Sequence, residues 1–162
     1  MIPMIILGID PGTAKTGWAV IKKGRNKKLS LLDYGCISTS SKLSPAKRLS
    51  LIYKEVRKRI LDFKPDVVAI EEVFFNTNAK TVISVSQSQG VTLLAAEKAH
   101  IPVVPYAPLR IKMVVCENGR TKKDGVQRKV KKILGLKEIP RPHHAADAIA
   151  IAICHAVTAK SA

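Results

Sequence analysis

Long apolar runs, paired cysteines and acidic side chains are all scarce in this 162-residue chain. No apolar run approaches the ~20 residues that span a bilayer, so no transmembrane helix is expected. The opening Met1-Ile2-Pro3-Met4 lacks the basic stretch of a secretory signal. Three scattered cysteines, Cys36, Cys116 and Cys154, form no C-x-x-C pair, which suggests neither a zinc site nor a disulfide framework. A reducing, cytoplasmic setting is the expectation. There is no internal repeat and no low-complexity linker, so one domain spanning 1–162 with one sizeable core is predicted, its tail at 158–162 frayed. Acids are the scarcest resource: 12 Asp and Glu stand against 28 Lys and Arg, a net charge of +16. Such an excess implies a polyanionic partner, either nucleic acid or an anionic membrane surface. The uneven placing of the few acids favours nucleic acid.

What is present sorts into strands and helices. Residues 4–10 read as a buried strand, an apolar run ended by a Pro-Gly turn signal. Residues 16–22 and 29–38 follow as strands around a basic, Gly/Asn-containing turn, and short connections predict an antiparallel meander. Ser44-Pro45 has the form of an N-cap with proline at N1. Leu49, Tyr53, Val56, Ile60 and Phe63 then continue at helical spacing until Pro65. The strand at 67–72 is apolar enough to be buried on both faces. A helix at 78–99, a strand at 102–106 and helices at 108–117, 124–135 and 143–158 complete the reading. The sum is an α/β domain with a mixed five-stranded sheet flanked by helices on both faces.

Four side chains carry the chemistry. Asp10 closes the apolar run Ile5-Ile6-Leu7-Gly8-Ile9, and Glu71 closes Val67-Val68-Ala69-Ile70. His144 and Asp147 lie at i and i+3 near the start of an Ala/Ile-rich helix and share a face. Singly, each has an ordinary explanation: Asp-Pro-Gly is a common turn, a strand-end glutamate reaches water, and a histidine at a helix start is most often a surface residue. His143 also lies one turn before Asp147, so spacing does not choose between the two histidines. Glu72 alternates away from Glu71 and reads as structural. Brought together, the carboxylates would repel one another unless divalent cations neutralised them, and hard ions such as Mg²⁺ prefer oxygen ligands. Two cations about 3.5–4 Å apart activate a water and stabilise the leaving oxygen of a phosphodiester displacement. Between Arg110 and Lys132 there are nine basic residues and only two acids, Glu117 and Asp124. A Gly-containing break at 117–125 suits a loop or helix end approaching phosphates. The residues by themselves predict metal-dependent chemistry on a polyanion.

Ordered blocks also carry a family resemblance. Leu7-Gly8-Ile9-Asp10-Pro11-Gly12-Thr13 with Thr16-Gly17-Trp18-Ala19-Val20-Ile21, then Ala69-Ile70-Glu71-Glu72-Val73-Phe74, Gln87-Ser88-Gln89-Gly90-Val91, Val126-Gln127 and His144-Ala145-Ala146-Asp147-Ala148-Ile149-Ala150-Ile151-Ala152 resemble bacterial Holliday junction resolvases of the RuvC type. The resemblance implies a ribonuclease H-like fold and a symmetric homodimer that nicks two opposed strands of four-way junction DNA, in recombination and repair. It implies a catalytic, metal-binding tetrad of Asp10, Glu71, His144 and Asp147, holding two Mg²⁺ per subunit with Mn²⁺ able to substitute. Members of that family carry either Asp or His at the position of His144. An imidazole there predicts a relative preference for Mn²⁺, since it suits softer ions. The resemblance further assigns Phe74 to stacking on or wedging between junction bases, and Lys112 and Lys123 to the scissile phosphate. The branch-migration proteins RuvA and RuvB are partners expected from the family alone.

The helix at 78–99 carries Ser84, Ser86, Ser88 and Gly90. A glycine within a helix costs about 1 kcal/mol relative to alanine, so a close backbone approach is expected there, from this chain's own sheet or from a second subunit. Three rival functions are weighed. A ribonuclease H-like nuclease that trims ribosomal RNA precursors fits the fold, but its relatives lack the basic stretch at 110–132. An actin- or Hsp70-type nucleotide-binding domain fits Gly8-Ile9-Asp10-Pro11-Gly12-Thr13, but needs a second lobe and a second glycine-rich loop. A non-catalytic junction-binding protein would not need the intact tetrad.

Overall fold

The computed structural model describes residues 2–73 and 78–160. Three strands, β1 (Met4–Asp10), β2 (Lys15–Lys23) and β3 (Leu29–Ser38), precede α1 (Pro45–Phe63), β4 (Val67–Glu71), α2 (Ala79–Lys98) and β5 (Val103–Tyr106). Three helices follow: α3 (Pro108–Cys116), α4 (Lys123–Leu134) and α5 (His143–Thr158). Every expected element is present, with ends moved by one residue at most. Phe74, the expected base-stacking aromatic, lies outside the described residues, as does the end of the tail.

The sheet order is β3-β2-β1-β4-β5. The first three strands form the predicted antiparallel meander, and β4 and β5 join it in parallel. The register between β1 and β4 is latched by Asp66, whose carboxylate accepts from the Ile5 amide at 2.7 Å while its own amide donates to the Ile5 carbonyl at 2.8 Å.

Alternation along the central strands divides the core in two. Ile6, Ala19, Ile21, Val67 and Ala69 face α3, α4 and α5, while Leu7, Ile9, Trp18, Val20, Val68 and Ile70 face α1 and α2. α5 is buried around its whole circumference from Ala145 to Ala156, which is why its sequence is apolar on every side rather than on one stripe. α1 is amphipathic and buries only Ile52, Val56 and Ile60. Its start is capped by Ser44, whose side chain accepts from the Lys47 amide at 3.3 Å.

α2 turns Ser84, Ser88 and Thr92 inward. Ser88 and Thr92 are fully buried, and Thr13 donates its hydroxyl to the Ser84 carbonyl at 2.8 Å. Gly90 points the other way, and a Cβ there would meet nothing within 4 Å. Of the two partners expected for this glycine, the chain's own sheet is therefore not the one that approaches it.

Candidate active site

Parallel pairing sets the first two acids side by side. Ile9 of β1 lies opposite Ile70 of β4, so Asp10 and Glu71 follow at the same edge of the sheet. Both are in step with residues that face α5: Asp10 with Ile6, and Glu71 with Val67 and Ala69. Glu72 falls outside the cleft, as alternation requires.

α5 reaches these acids because two glycines clear its path. Gly17 sits opposite Asp10 in the β1–β2 register, and a Cβ on it would overlap the His144 carbonyl oxygen. A Cβ on Gly8 would overlap the Ala148 carbonyl and press on Ala152 at 2.9 Å. With no side chain on the strands and only methyl groups on the helix, the first turn of α5 lies directly on β1 and β2. His144 Nδ1 then comes within 3.2 Å of Asp10 Oδ2. One ligand atom from each of Asp10, His144 and Asp147 lies within 4.8 Å of the others.

Glu71 stands outside this tight group but lines the same cleft, of about 340 Å³, together with Lys112 of α3 and Lys123 of α4. Of the two histidines that spacing left open, His144 is the one in the cleft. His143 stacks against it at 4.2 Å between ring centroids and lines a neighbouring depression with Lys123 and Arg141.

The electrostatics are those of crowded anions. Burial pushes the Glu71 carboxyl up to about 7, with Asp10 and Asp147 adding to the effect and Lys112 and Lys123 opposing it. Burial, then Asp10, raises Asp147 to about 6 against the pull of Lys123, His144 and Lys112. His144 is raised chiefly by its hydrogen bond to Asp10, with burial opposing the effect. Such a donor set, two carboxylates and an imidazole with a third carboxylate beside them, fits a divalent cation that would relieve this repulsion.

The turn after Asp10 is pinned by hydroxyls. Thr39 donates to the Thr13 carbonyl at 2.6 Å, and Arg48 Nε donates to Thr39 Oγ1 at 2.8 Å. Sequence reasoning passed over these threonines, and over the parts played by Gly8 and Gly17. The signal for the glycines was available, since glycine inside a strand marks close approach of another backbone. Nothing local marked Thr39, because its partners are distant in sequence.

Acids at the carboxyl edge of a mixed sheet, completed from a buried helix and overhung by lysines, define a metal-dependent phosphodiesterase on a ribonuclease H-like scaffold. The comparisons with known proteins narrow this class. The profile of the crossover junction endodeoxyribonuclease RuvC family matches residues 6–155. A RuvC from Syntrophomonas wolfei is 50% identical over 152 residues, covering 94% of this chain and 88% of that protein. A solved structure of Thermus thermophilus RuvC in complex with Holliday junction substrate superposes with a TM-score of 0.86 at 36% identity, covering 94% of this chain and 93% of that one. The yeast mitochondrial Holliday junction resolvase shares the fold, with a TM-score of 0.68 at 16% identity over 93% of this chain and 77% of that one. The chain belongs to the RuvC family of crossover junction endodeoxyribonucleases.

Proposed function

We propose that this protein resolves Holliday junctions as a homodimer, nicking two opposed strands at symmetric positions with two Mg²⁺ ions per active site. The observation that carries the reading is the meeting of Asp10, His144 and Asp147 within 4.8 Å in a cleft shared with Glu71 and two lysines. Asp10, Glu71, His144 and Asp147 hold the cations. When bound, these activate a water and stabilise the leaving oxygen. Lys112 and Lys123 hold the scissile phosphate against the carboxylates by charge-assisted hydrogen bonds. Phe74 stacks on junction bases, an interaction worth about 1–3 kcal/mol that tolerates any sequence.

A second copy is supported by α2. Its outer face exposes Ile83 by 59% and Leu94 by 51%, with Gly90 open between them. Apolar side chains flanking a bare stretch of backbone suit a two-fold helix contact, and a two-fold axis gives the two sites that paired nicking needs. RuvA and RuvB are the partners expected through the family. Among the described residues no helix is long and apolar enough to cross a membrane, and we place the protein in the cytoplasm with the DNA it acts on.

The test is a fixed four-way junction labelled on each strand and incubated with Mg²⁺ or Mn²⁺, alongside the Asp147→Asn variant. Paired symmetric nicks, lost in the variant while junction binding persists, are the expected result. Tight binding without cutting in either metal would instead mean a junction-binding role.

A further inference from the structure

Beyond the cleft the surface stays concave. Lys123 on the cleft's rim also borders a depression of about 830 Å³ that is walled by Gln127, Arg141 and His143. Arg141 in turn borders a third, of about 720 Å³, that reaches Lys131, Lys137 and Tyr34. Each depression borders the next through one shared side chain, Lys123 and then Arg141, so the three follow one another along this face as a trough. One wall is a single stripe of α4, since Lys123, Gln127 and Lys131 recur every fourth residue and share a face. The opposite wall is the segment 135–142 that joins α4 to α5. At the far end stands Tyr34 of β3, paired with Ala19 in the sheet and 39% exposed.

The charge along this trough is one-sided. Among the described residues Lys123, Lys131, Lys137 and Arg141 enter no ion pair, whereas the Asp124 carboxylate is already engaged by Arg128 at 3.1 Å. Glu138 is the remaining acid on the outer part. Unpaired cations along a concavity focus a field that suits a polyanion. From Lys123 to Lys131 the stripe covers about 12 Å at 1.5 Å per residue. That length matches three to four base-pair steps of a duplex whose axis runs alongside α4, at about 3.4 Å of rise each. A lone phosphate or a free nucleotide would occupy one depression and leave the others unused, whereas a continuous strand engages all three.

We propose that this trough is the track for the junction arm that carries the cut strand. Lys131, Lys137 and Arg141 grip its phosphates three to four nucleotides beyond the scissile one, and Tyr34 abuts the backbone where the track ends. This rests on the resolvase reading, because DNA must lie in the cleft for its backbone to continue along α4. The grip is on phosphate, so it sets position and the shortest usable arm without reading sequence.

The experiment measures junction binding against salt in the Asp147→Asn background, where nothing is cut. It compares that protein with Lys131→Ala/Lys137→Ala/Arg141→Ala and with a charge-matched control, Lys54→Ala/Arg57→Ala/Lys58→Ala, on α1 across the sheet. Each phosphate deprived of its cation lowers the slope of log affinity against log salt by about 0.9. The trough variant is expected to lose about 2–3 in slope, and the control less than about 1. Neutral methylphosphonates placed three to four nucleotides from the nick should weaken binding by the parent and add nothing in the trough variant. Equal slopes for trough variant and control, or an equal methylphosphonate penalty in both backgrounds, would overturn the track. Failure of the resolvase reading shows separately, as absence of paired nicks by the wild-type protein on an unmodified junction, and it removes the track as well.

Discussion

At the scale of single residues the site holds protons that a bound cation would displace. The Glu71 carboxyl, at about 7, and that of Asp147, at about 6, stay protonated in the folded, metal-free protein at pH values where the unfolded chain has released its protons. The folded state therefore binds more protons between the ordinary carboxylate range and about pH 7, and stability falls as pH rises through that window. Removing one of these charges should stabilise. Asp147→Asn is expected to raise the melting temperature of metal-free protein at pH 8 by about 2–4 °C, the equivalent of about 1 kcal/mol for a chain of this size, while abolishing the stabilisation by added Mg²⁺. A melting temperature lowered by the substitution would show that the repulsion is already relieved without metal. Metal binding must also expel protons, so calorimetry in buffers of different ionisation enthalpy should record proton release that declines from pH 6 to pH 8. His144 offers a separate prediction: His144→Asp should shift the ratio of Mn²⁺- to Mg²⁺-supported nicking toward Mg²⁺ by several-fold, and an unchanged ratio would remove imidazole as its cause. The residue types and their placing at strand ends were legible in the sequence. The choice of His144 over His143 came from the family resemblance alone, because spacing is blind to which way a helix is rotated against the sheet.

Among the elements, the seam of α5 with β1 and β2 governs the site. Gly17→Ala would drive a methyl into the His144 carbonyl and push the first turn of α5 away from Asp10. Nicking should fall by at least about 100-fold, as expected when a reacting geometry shifts by an ångström, with far-ultraviolet circular dichroism retained. Gly8→Ala meets Ala148 and Ala152 one turn or more further along, and its cost should appear mainly as stability, about 1–3 kcal/mol for overpacking in denaturant titration. Similar falls in nicking for both variants would mean that the two close approaches are not separable. Every element was readable from periodicity and turn chemistry, down to an end residue, because apolar runs, prolines and glycines here punctuate the chain without conflict. The close helix–sheet seam was less legible: glycine in a strand signals proximity but does not name the neighbour, and Ala148 lies far along the chain from Gly8.

For the whole molecule, the proposed homodimer rests on the open face of α2. Leu94→Arg places a charge on that face and should convert a dimer to a monomer by sedimentation velocity. Nicks by the variant should then fall on single strands without pairing; paired nicks from a monomer would argue against the two-fold arrangement. The meander of β1–β3 could form early, since its pairings are local. The proposed active site cannot, because His144 and Asp10 are separated by 134 positions and Asp147 arrives with the same helix. Domains made on the ribosome fold from their amino-terminal side, at about 5–20 residues added per second. A growing chain that has already made the basic residues of α3 and α4 thus lacks the proposed metal site until α5 emerges and threads its alanines onto Gly8 and Gly17.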